Sequence, residues 1–521
     1  MVPMKSLLEG EVIQELAKSI EEAIRSTDKG LRRFVEPARG TLIRAKSKQH
    51  HIVFGRRGSG KTSLLRKAAE DLRNLERPIA YIDLETFKGE SYPDILLNTL
   101  IESFDKFNQW IISSRMPKSS SHFIWKIITE KLHKRNDSNI NKFKELFHNF
   151  KNQIDELTKQ LHLADDITIG KITKEKIKTG KKSGTGTNLG IKSIKIDTKY
   201  EKSEDISSSE EIIEFFHRQK VDFLNKHVYE YRKLFKELSQ LSNGSSYLFL
   251  DDLYHIRKAD QAKVLDYFHK IAKDNNFWLK IGTIRYRTNY YEPGDPPIGL
   301  KITDDAEEID LDLTLEKYSL AKDFLRQILL KFLNENGFQS DKEILTDGAI
   351  NRLILCSGGV ARDFLGIFRR SIEYARERGM DHRGSRICAE DVNKAAGEYG
   401  TSKMDELKQD TLGEETSKLE EQFHQIRDFC LIKKKTNLFL LDKDERGEKI
   451  IFIKELADLR LIHLINSRVT ISGIPSKLYE VYMLDYSQYT GSRARRELDR
   501  IEFWKGSAKD KIRRKGLIYS P

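Results

Sequence analysis

Short apolar runs and longer amphipathic stretches alternate along this chain, and the alternation predicts the architecture. Residues 51–54 (HIVF) form an apolar run that ends in a glycine-rich turn, and 62–75 then repeats apolar residues at helical spacing until Pro78. Residues 79–84 (IAYIDL) leave no room for a helix and read as a second buried strand, followed by a helix over about 93–107. The run 247–250, after Asn243-Gly244-Ser245, and the run 277–283 (FWLKIGT) give two more strands around a helix at 258–273, and 308–313 gives a fifth. Strands alternating with helices predict a parallel sheet with crossover helices, an α/β fold. Helices at about 315–335, 342–355, 360–378 and 388–398 then predict an all-helical bundle.

Residues 108–240 interrupt this plan. An amphipathic helix over about 139–163 and another over about 208–240 bracket a glycine-punctuated segment, 165–200. Its short alternations (Ile167/Ile169, then Leu189/Ile191 and Ile194/Ile196) predict a long β-hairpin with the tip KTGKKSGTGTN. Beyond a polar linker at 401–416, a helix around 417–433, a strand at 437–441, a short helix at 453–459 and strands at 461–465 and 478–484 follow in turn. Helix, helix and two-stranded ribbon resemble a winged-helix domain.

Charge sharpens the picture. The 521 residues carry 92 Lys+Arg against 80 Asp+Glu, a formal net charge of +12. Segment 165–200 holds nine Lys against four acids and 490–516 ten Lys+Arg against four, so a polyanion partner is electrostatically favoured at a basic hairpin or tail. At 38% hydrophobic the chain still has enough apolar residues for several cores, which excludes wholesale disorder. No window approaches the roughly 18 unbroken apolar residues of a membrane span, and the start MVPMKSLLEGEV lacks a signal-peptide core. Cys356, Cys388 and Cys430 stand far apart, against a disulfide framework or zinc ribbon. The expected setting is cytoplasmic, without a membrane partner.

The chemistry is concentrated at the first strand. Gly55-Arg56-Arg57-Gly58-Ser59-Gly60-Lys61-Thr62 fits G-x-x-x-x-G-K-[ST] without a mismatch, after an apolar strand and at the start of a helix with a buried face. Its glycines let backbone N–H groups point at phosphate oxygens beside the positive end of the helix, Lys61 adds a point charge, and Thr62 offers an oxygen to Mg²⁺. Gly55, Gly58, Ser59, Gly60, Lys61, Thr62 and Ser63 are thus the expected ATP-binding residues. Asp251 and Asp252 close the run 247–250, at the carboxyl edge of the sheet. Asp251 is expected to hold Mg²⁺ and Asp252 to orient or deprotonate the attacking water. Thr283, at the end of its strand, either senses the γ-phosphate or satisfies its own turn. Arg362, in SGGVARD at the head of a bundle helix, can fold back onto the γ-phosphate. Arg285 and Arg287 are candidates for an arginine reaching a neighbouring subunit's nucleotide, and Asp83 and Glu85 end the second strand near the phosphates. His50 and His51 adjoin in a strand and face opposite ways, against a shared metal. Tyr479, Tyr482, Tyr486 and Tyr489 fit core packing better than base stacking.

In this order, the phosphate loop, the LFLDD strand, the polar strand end at Thr283 and the SGGVARDFL helix start resemble AAA+ P-loop ATPases. The similarity is to the origin-recognition-complex-like initiators and their signal-transducing STAND relatives, and it covers about 31–400 less the insertion. The resemblance implies a five-stranded αβα core with a helical lid, a C-terminal winged helix that binds duplex DNA, and homo-oligomers with nucleotide near subunit boundaries. The expected organisation is an N-terminal helix (1–30), a core in two parts (31–107 and 241–313), a helical insertion with a basic hairpin (108–240), a lid (314–400), a winged-helix-like domain (417–490) and a basic tail (491–521).

Three features depart from that family. Lys61 and Asp251 are 190 positions apart, the second acid is aspartate where glutamate is usual, and the short helix at 453–459 carries Glu455 and Asp458 where base-reading residues are expected. The reading is a slow ATPase acting as a switch, coupled to oligomerisation and to DNA or a DNA-processing partner, with genome defence or mobile elements as a setting. The alternative is a non-catalytic, nucleotide-gated scaffold that docks a protein effector such as a nuclease.

Overall fold

Strands His51–Phe54 (β1), Ile79–Asp83 (β2), Ser246–Asp251 (β3) and Phe277–Thr283 (β4) pair in parallel with Glu307–Asp310 (β7), in the order β2–β3–β4–β1–β7. Between β4 and β7 lies a two-stranded hairpin, Tyr291–Glu292 (β5) with Ile298–Gly299 (β6). The computed structural model describes residues 8, 10–23, 28–115, 138–180, 209–242, 244–379, 385–410, 414–471, 474–490, 497–505 and 508–521. The α/β class expected from the strand and helix rhythm is realised in this sheet.

The period of two in each strand divides the sheet's faces. Val53, Tyr247, Phe249 and Ile309 pack with Leu64, Leu65, Ala68 and Leu72 of helix Lys61–Asn74, after helix Thr41–Lys46. Ile52, Phe54, Leu248, Leu250, Leu279 and Ile281 face the other way, onto helices Asp94–Arg115, Ser209–Leu241 and Lys258–Ala272. The insertion joins this second face. Phe143, Leu146, Phe150 and Leu157 of helix Ser138–Gly180 share a core with Phe104, Phe107, Tyr231 and Phe235. Fully burying one such ring contributes about 1.5–3 kcal/mol, so the base of the insertion is a structural layer of the core. The first arm of the expected hairpin is corrected: residues 165–180 continue the helix, and 181–208 lie outside the described residues.

The boundary between bundle and C-terminal domain also differs from expectation. Helix Ala389–Asp410 runs straight through most of the expected linker, burying Lys403 and Leu407. Bundle helices Tyr318–Glu335, Asp347–Ser357 and Ala361–Arg378 share one continuous core with the C-terminal elements. Those elements are helix Glu414–Asp428, strand Leu438–Asp442 (β8), helix Glu448–Asp458, and the hairpin Ile462–Ile471 (β9) with Ile474–Leu484 (β10), in the antiparallel order β8–β10–β9. Helix Glu11–Ala23 packs into the same core through Ile13, Leu16 and Ile20. Described parts of the basic tail pack onto this unit. Ile501, Ile512, Leu517 and Tyr519 are buried, the Tyr519 amide donates to Leu440 O (2.8 Å), and Lys511 and Arg514 face Asp499.

Candidate functional site

Sheet register brings the distant motifs to one edge. Phe54 lies opposite Thr283 and Asp310, and Asp83 opposite Asp251, so the Gly55 turn, both acids and the strand ends converge despite the long insertion. The loop departs from β1 with the Gly55 amide donating to Thr283 O (3.2 Å). Gly58 and Gly60 take φ of 82° and 102°, which side-chain-bearing residues rarely adopt, and so let the chain turn into the helix at Lys61.

Inside the turn, the Ser59 hydroxyl is buried and has no hydrogen-bond partner among the described residues. A Cβ added to Gly55 would stand 2.3 Å from that hydroxyl, so a larger residue there would displace the Ser59 side chain. The Lys61 Nζ is buried and donates to Arg56 O at 3.4 Å. Burial lowers its pKa, and the carboxylates of Asp252, Asp251 and Asp312 work against that shift. An unpartnered hydroxyl and a desolvated amine in a glycine turn fit an anionic oxygen ligand such as a phosphate chain.

Asp251 is buried at the end of β3. Its Oδ2 accepts from Tyr81 Oη (2.5 Å) and its Oδ1 from the Asp252 amide (3.0 Å), which leaves further lone pairs on both oxygens. Burial, reinforced by the charge of Asp251, raises the Tyr81 hydroxyl well above its ordinary pKa, so it remains a donor. Asp252 adopts φ 55°, and burial followed by the charge of Asp251 raises its pKa to about 7, against the pull of Lys61. Asp83 Oδ1 accepts from the Glu85 amide (3.1 Å), which is a turn-capping role. Glu85, Asp252 and His255 bring ligand atoms within 4.8 Å of one another.

The bundle closes over the loop. The Arg362 amide donates to Gly58 O (3.3 Å), and a Cβ on Gly58 would stand 2.5 Å from Arg362 Cβ. The backbone and Cβ of Arg362 therefore lie against the loop. Sequence reasoning missed Arg56. Its amide and Nε donate to Asp312 Oδ1 (2.9 and 3.1 Å) and its guanidinium to Gly358 O (3.2 Å), tying loop, sheet edge and bundle together. Tyr81 and Tyr254 were missed as well, because an aromatic in a strand or turn carries no signal of its own.

Thr283 and Arg285 both take local partners. Thr283 is fully buried, and its hydroxyl bonds Thr288 Oγ1 (2.5 Å), whose own proton goes to Ile284 O (2.6 Å). It satisfies its own turn, so its side chain is not aimed at a phosphate. Arg285 is held by Glu308 (2.9 and 3.0 Å) and Asp310 (3.3 Å) and stacks on Phe54, which corrects its reading as an arginine extended to a neighbour. Arg287 instead has its Cζ 5.9 Å from the Tyr254 ring centre, and Lys61 Nζ is 5.6 Å from the same ring.

No family model matches the chain, and a search of curated proteins likewise finds no match. Among solved structures, the Aeropyrum pernix ORC1 protein in complex with DNA aligns with 92% of this chain and 91% of its own. That alignment is 14% identical, with a TM-score of 0.32. Among the described residues no helix is long and apolar enough to cross a membrane.

The remaining candidates fall into structural roles. His50 Nδ1 accepts from the Leu279 amide (3.1 Å), and His51 Nδ1 lies 3.0 Å from the buried Lys280 Nζ; burial lowers the two imidazoles to about 4 and 3. Tyr479, Tyr482, Tyr486 and Tyr489 are all buried. The acidic face of helix Glu448–Asp458 is turned onto the sheet domain, where Asp458 Oδ2 accepts from the Tyr286 amide (2.9 Å) and Glu455 meets Lys258 Nζ (3.3 Å). That packing gives Glu455 and Asp458, the two acids that depart from a base-reading helix, partners within the chain, and it sets the C-terminal unit directly beside the Arg285–Arg287 turn.

Proposed function

We propose that this chain is an ATP-dependent molecular switch that binds Mg-ATP at residues 55–62 and hydrolyses it slowly. One observation carries the reading: a buried Lys61 amine, an unpartnered Ser59 hydroxyl and the bundle arginine Arg362 converge on a single glycine turn. Thr62 and Asp251 are the residues that would hold Mg²⁺, which would supply charge neutralisation on the phosphates. Asp252, with a pKa near 7, is suited to take a proton from the attacking water. The resemblance to AAA+ initiators points to the same site, to homo-oligomers, and to duplex DNA as the output ligand, which the +12 charge favours.

Coupling has a physical route in this reading. Arg362 lies on the loop, and the next residue, Asp363, sits in a buried ion cluster with the C-terminal unit. It contacts Arg460, and Lys403 Nζ lies 3.2 Å from Asp363 Oδ2 and 2.7 Å from Asp485 Oδ2. A movement of Arg362 on nucleotide exchange thus pulls on a helix cemented to β9 and β10.

Calorimetric ATP binding and phosphate release, with and without duplex DNA, test the reading. Lys61→Ala is expected to lose both, while Asp252→Asn retains binding and loses at least 100-fold of turnover, on the order of a general-base contribution. Wild-type protein with no affinity for ATP would overturn the proposal. Binding to duplex DNA is expected to weaken steeply with salt.

A further inference from the structure

We propose that Glu85, Asp252 and His255 form a second metal site, suited to a zinc-type transition ion, and that an ion held there switches hydrolysis off; the switching half rests on the ATP reading above. The ligand atoms, one carboxylate oxygen from each acid and one imidazole nitrogen, lie within 4.8 Å of one another. Metal–ligand bonds of about 2.0–2.2 Å put two ligands of one zinc ion at most about 4.3 Å apart, so a small rotation of the exposed Glu85 side chain completes the set. The Mg²⁺ reading above uses Thr62 and Asp251, and neither belongs to this group.

Two neighbouring strand exits build the site. β2 and β3 run in register with Asp83 opposite Asp251, so the residues just beyond them leave the sheet side by side. Asp83 Oδ1 accepts from the Glu85 amide (3.1 Å) and caps the short turn Leu84–Phe87, which fixes where Glu85 departs. On the other exit Asp252 takes φ 55°, and its carbonyl accepts from the His255 amide (3.1 Å), closing a tight turn through Leu253–His255. A carboxylate and an imidazole thus stand at the two ends of one closed turn.

The donor set differs from a surface patch of acids. The His255 side chain is only 6% exposed, and its Nε2 stands 3.8 Å from Glu85 Oε1, beyond hydrogen-bond range but within the span of two ligands on one ion. Burial and the charges of Asp251, Asp83 and Glu85 all push the Asp252 pKa upward, with Lys61 opposing them. A divalent cation would relieve that crowding of negative charge. One imidazole with two carboxylates favours Zn²⁺ over Mn²⁺, and both over Mg²⁺, which prefers all-oxygen octahedral shells. A carboxylate engaged by zinc cannot also take a proton from water, so zinc on Asp252 would stop turnover without occupying the phosphate loop.

The test titrates Zn²⁺ into the full-length, nucleotide-free protein by calorimetry, for wild type, Glu85→Gln and His255→Ala, with thermal melts in metal-free buffer as the folding control. Wild type is expected to bind, and both variants to bind at least about tenfold more weakly. Glu85 is exposed, so its variant stays informative if His255→Ala unfolds. Cobalt(II) loaded in place of zinc should show no thiolate charge-transfer absorption. Phosphate release in excess Mg-ATP, at free zinc set by a metal buffer, should fall in step with zinc occupancy in wild type and resist the same zinc in Glu85→Gln. Absence of zinc binding, equal affinity in the folded variants, or a thiolate band would overturn the site. Undiminished turnover of zinc-loaded wild type, or equal inhibition of Glu85→Gln, would overturn the switch. Wild type that binds zinc but no ATP would instead overturn the ATP reading and leave the metal site standing.

Discussion

Replacing Arg460 with methionine probes how strongly the C-terminal unit is fastened to the bundle. Arg460 is fully buried and contacts both Asp363, also fully buried, and the more exposed Glu406. Lys403 is shared between Asp363 and Asp485, and the His463 Nε2 approaches Asp485 at 2.7 Å. Burial lowers the His463 pKa, so the imidazole adds no cation, and Arg460 and Lys403 alone balance the buried Asp363 and Asp485. Methionine keeps most of the side-chain volume but leaves two buried carboxylates facing one ammonium. Breaking a buried pair from one side costs about 3–5 kcal/mol. At about 2–4 °C per kcal/mol for a unit of this size, the melting temperature of the bundle with its C-terminal unit should fall by roughly 6–20 °C.

The pH dependence gives that prediction a sign. Despite burial, the charges of Arg460 and Lys403 hold the folded Asp363 pKa below the ordinary carboxylate value of about 3.9. Its stabilising contribution is therefore present above that value and lost as pH falls through the folded pKa. In Arg460→Met the Asp363 pKa rises, so the penalty should be largest near pH 7 and shrink as acidification neutralises the carboxylate. The assay is chemical denaturation at pH 7 and pH 4.5, with Asp363→Asn and the double variant completing a cycle. A penalty below 1 kcal/mol at pH 7, or strict additivity of the two substitutions, would refute the account of the cluster.

Three further outcomes are expected around the loop. kcat/KM, which reports the free site, should rise with pH through about 7 as Asp252 ionises, falling about tenfold per unit on the acid side, and a flat kcat/KM profile would contradict its role as base. Gly58→Ala meets both a positive φ and Arg362 Cβ at 2.5 Å, so ATP affinity should drop at least tenfold by calorimetry while circular dichroism stays native. Tyr81→Phe removes a hydrogen bond to a charged acceptor, of about 1.5–3 kcal/mol, from Asp251. It should shift the Mg²⁺ concentration for half-maximal turnover by at least threefold, read by magnesium titration of phosphate release.

Local pattern alone determined a good deal of this protein. Runs such as HIVF and IAYID read as strands from their length and apolar content, and Gly58 and Gly60 take the positive φ that the loop turn requires. Tertiary structure alone decided the pairings between residues far apart in sequence. Whether Thr283 faces a ligand or Thr288, and whether Arg285 or Arg287 shares a ring with Lys61, depends on side-chain directions at a crowded sheet edge. The expected linker became helix and the expected tail became core because apolar positions such as Leu407 and Tyr519 found partners in the neighbouring unit. Periodicity reports which face of an element is apolar; what comes to cover that face is a property of the whole packed chain.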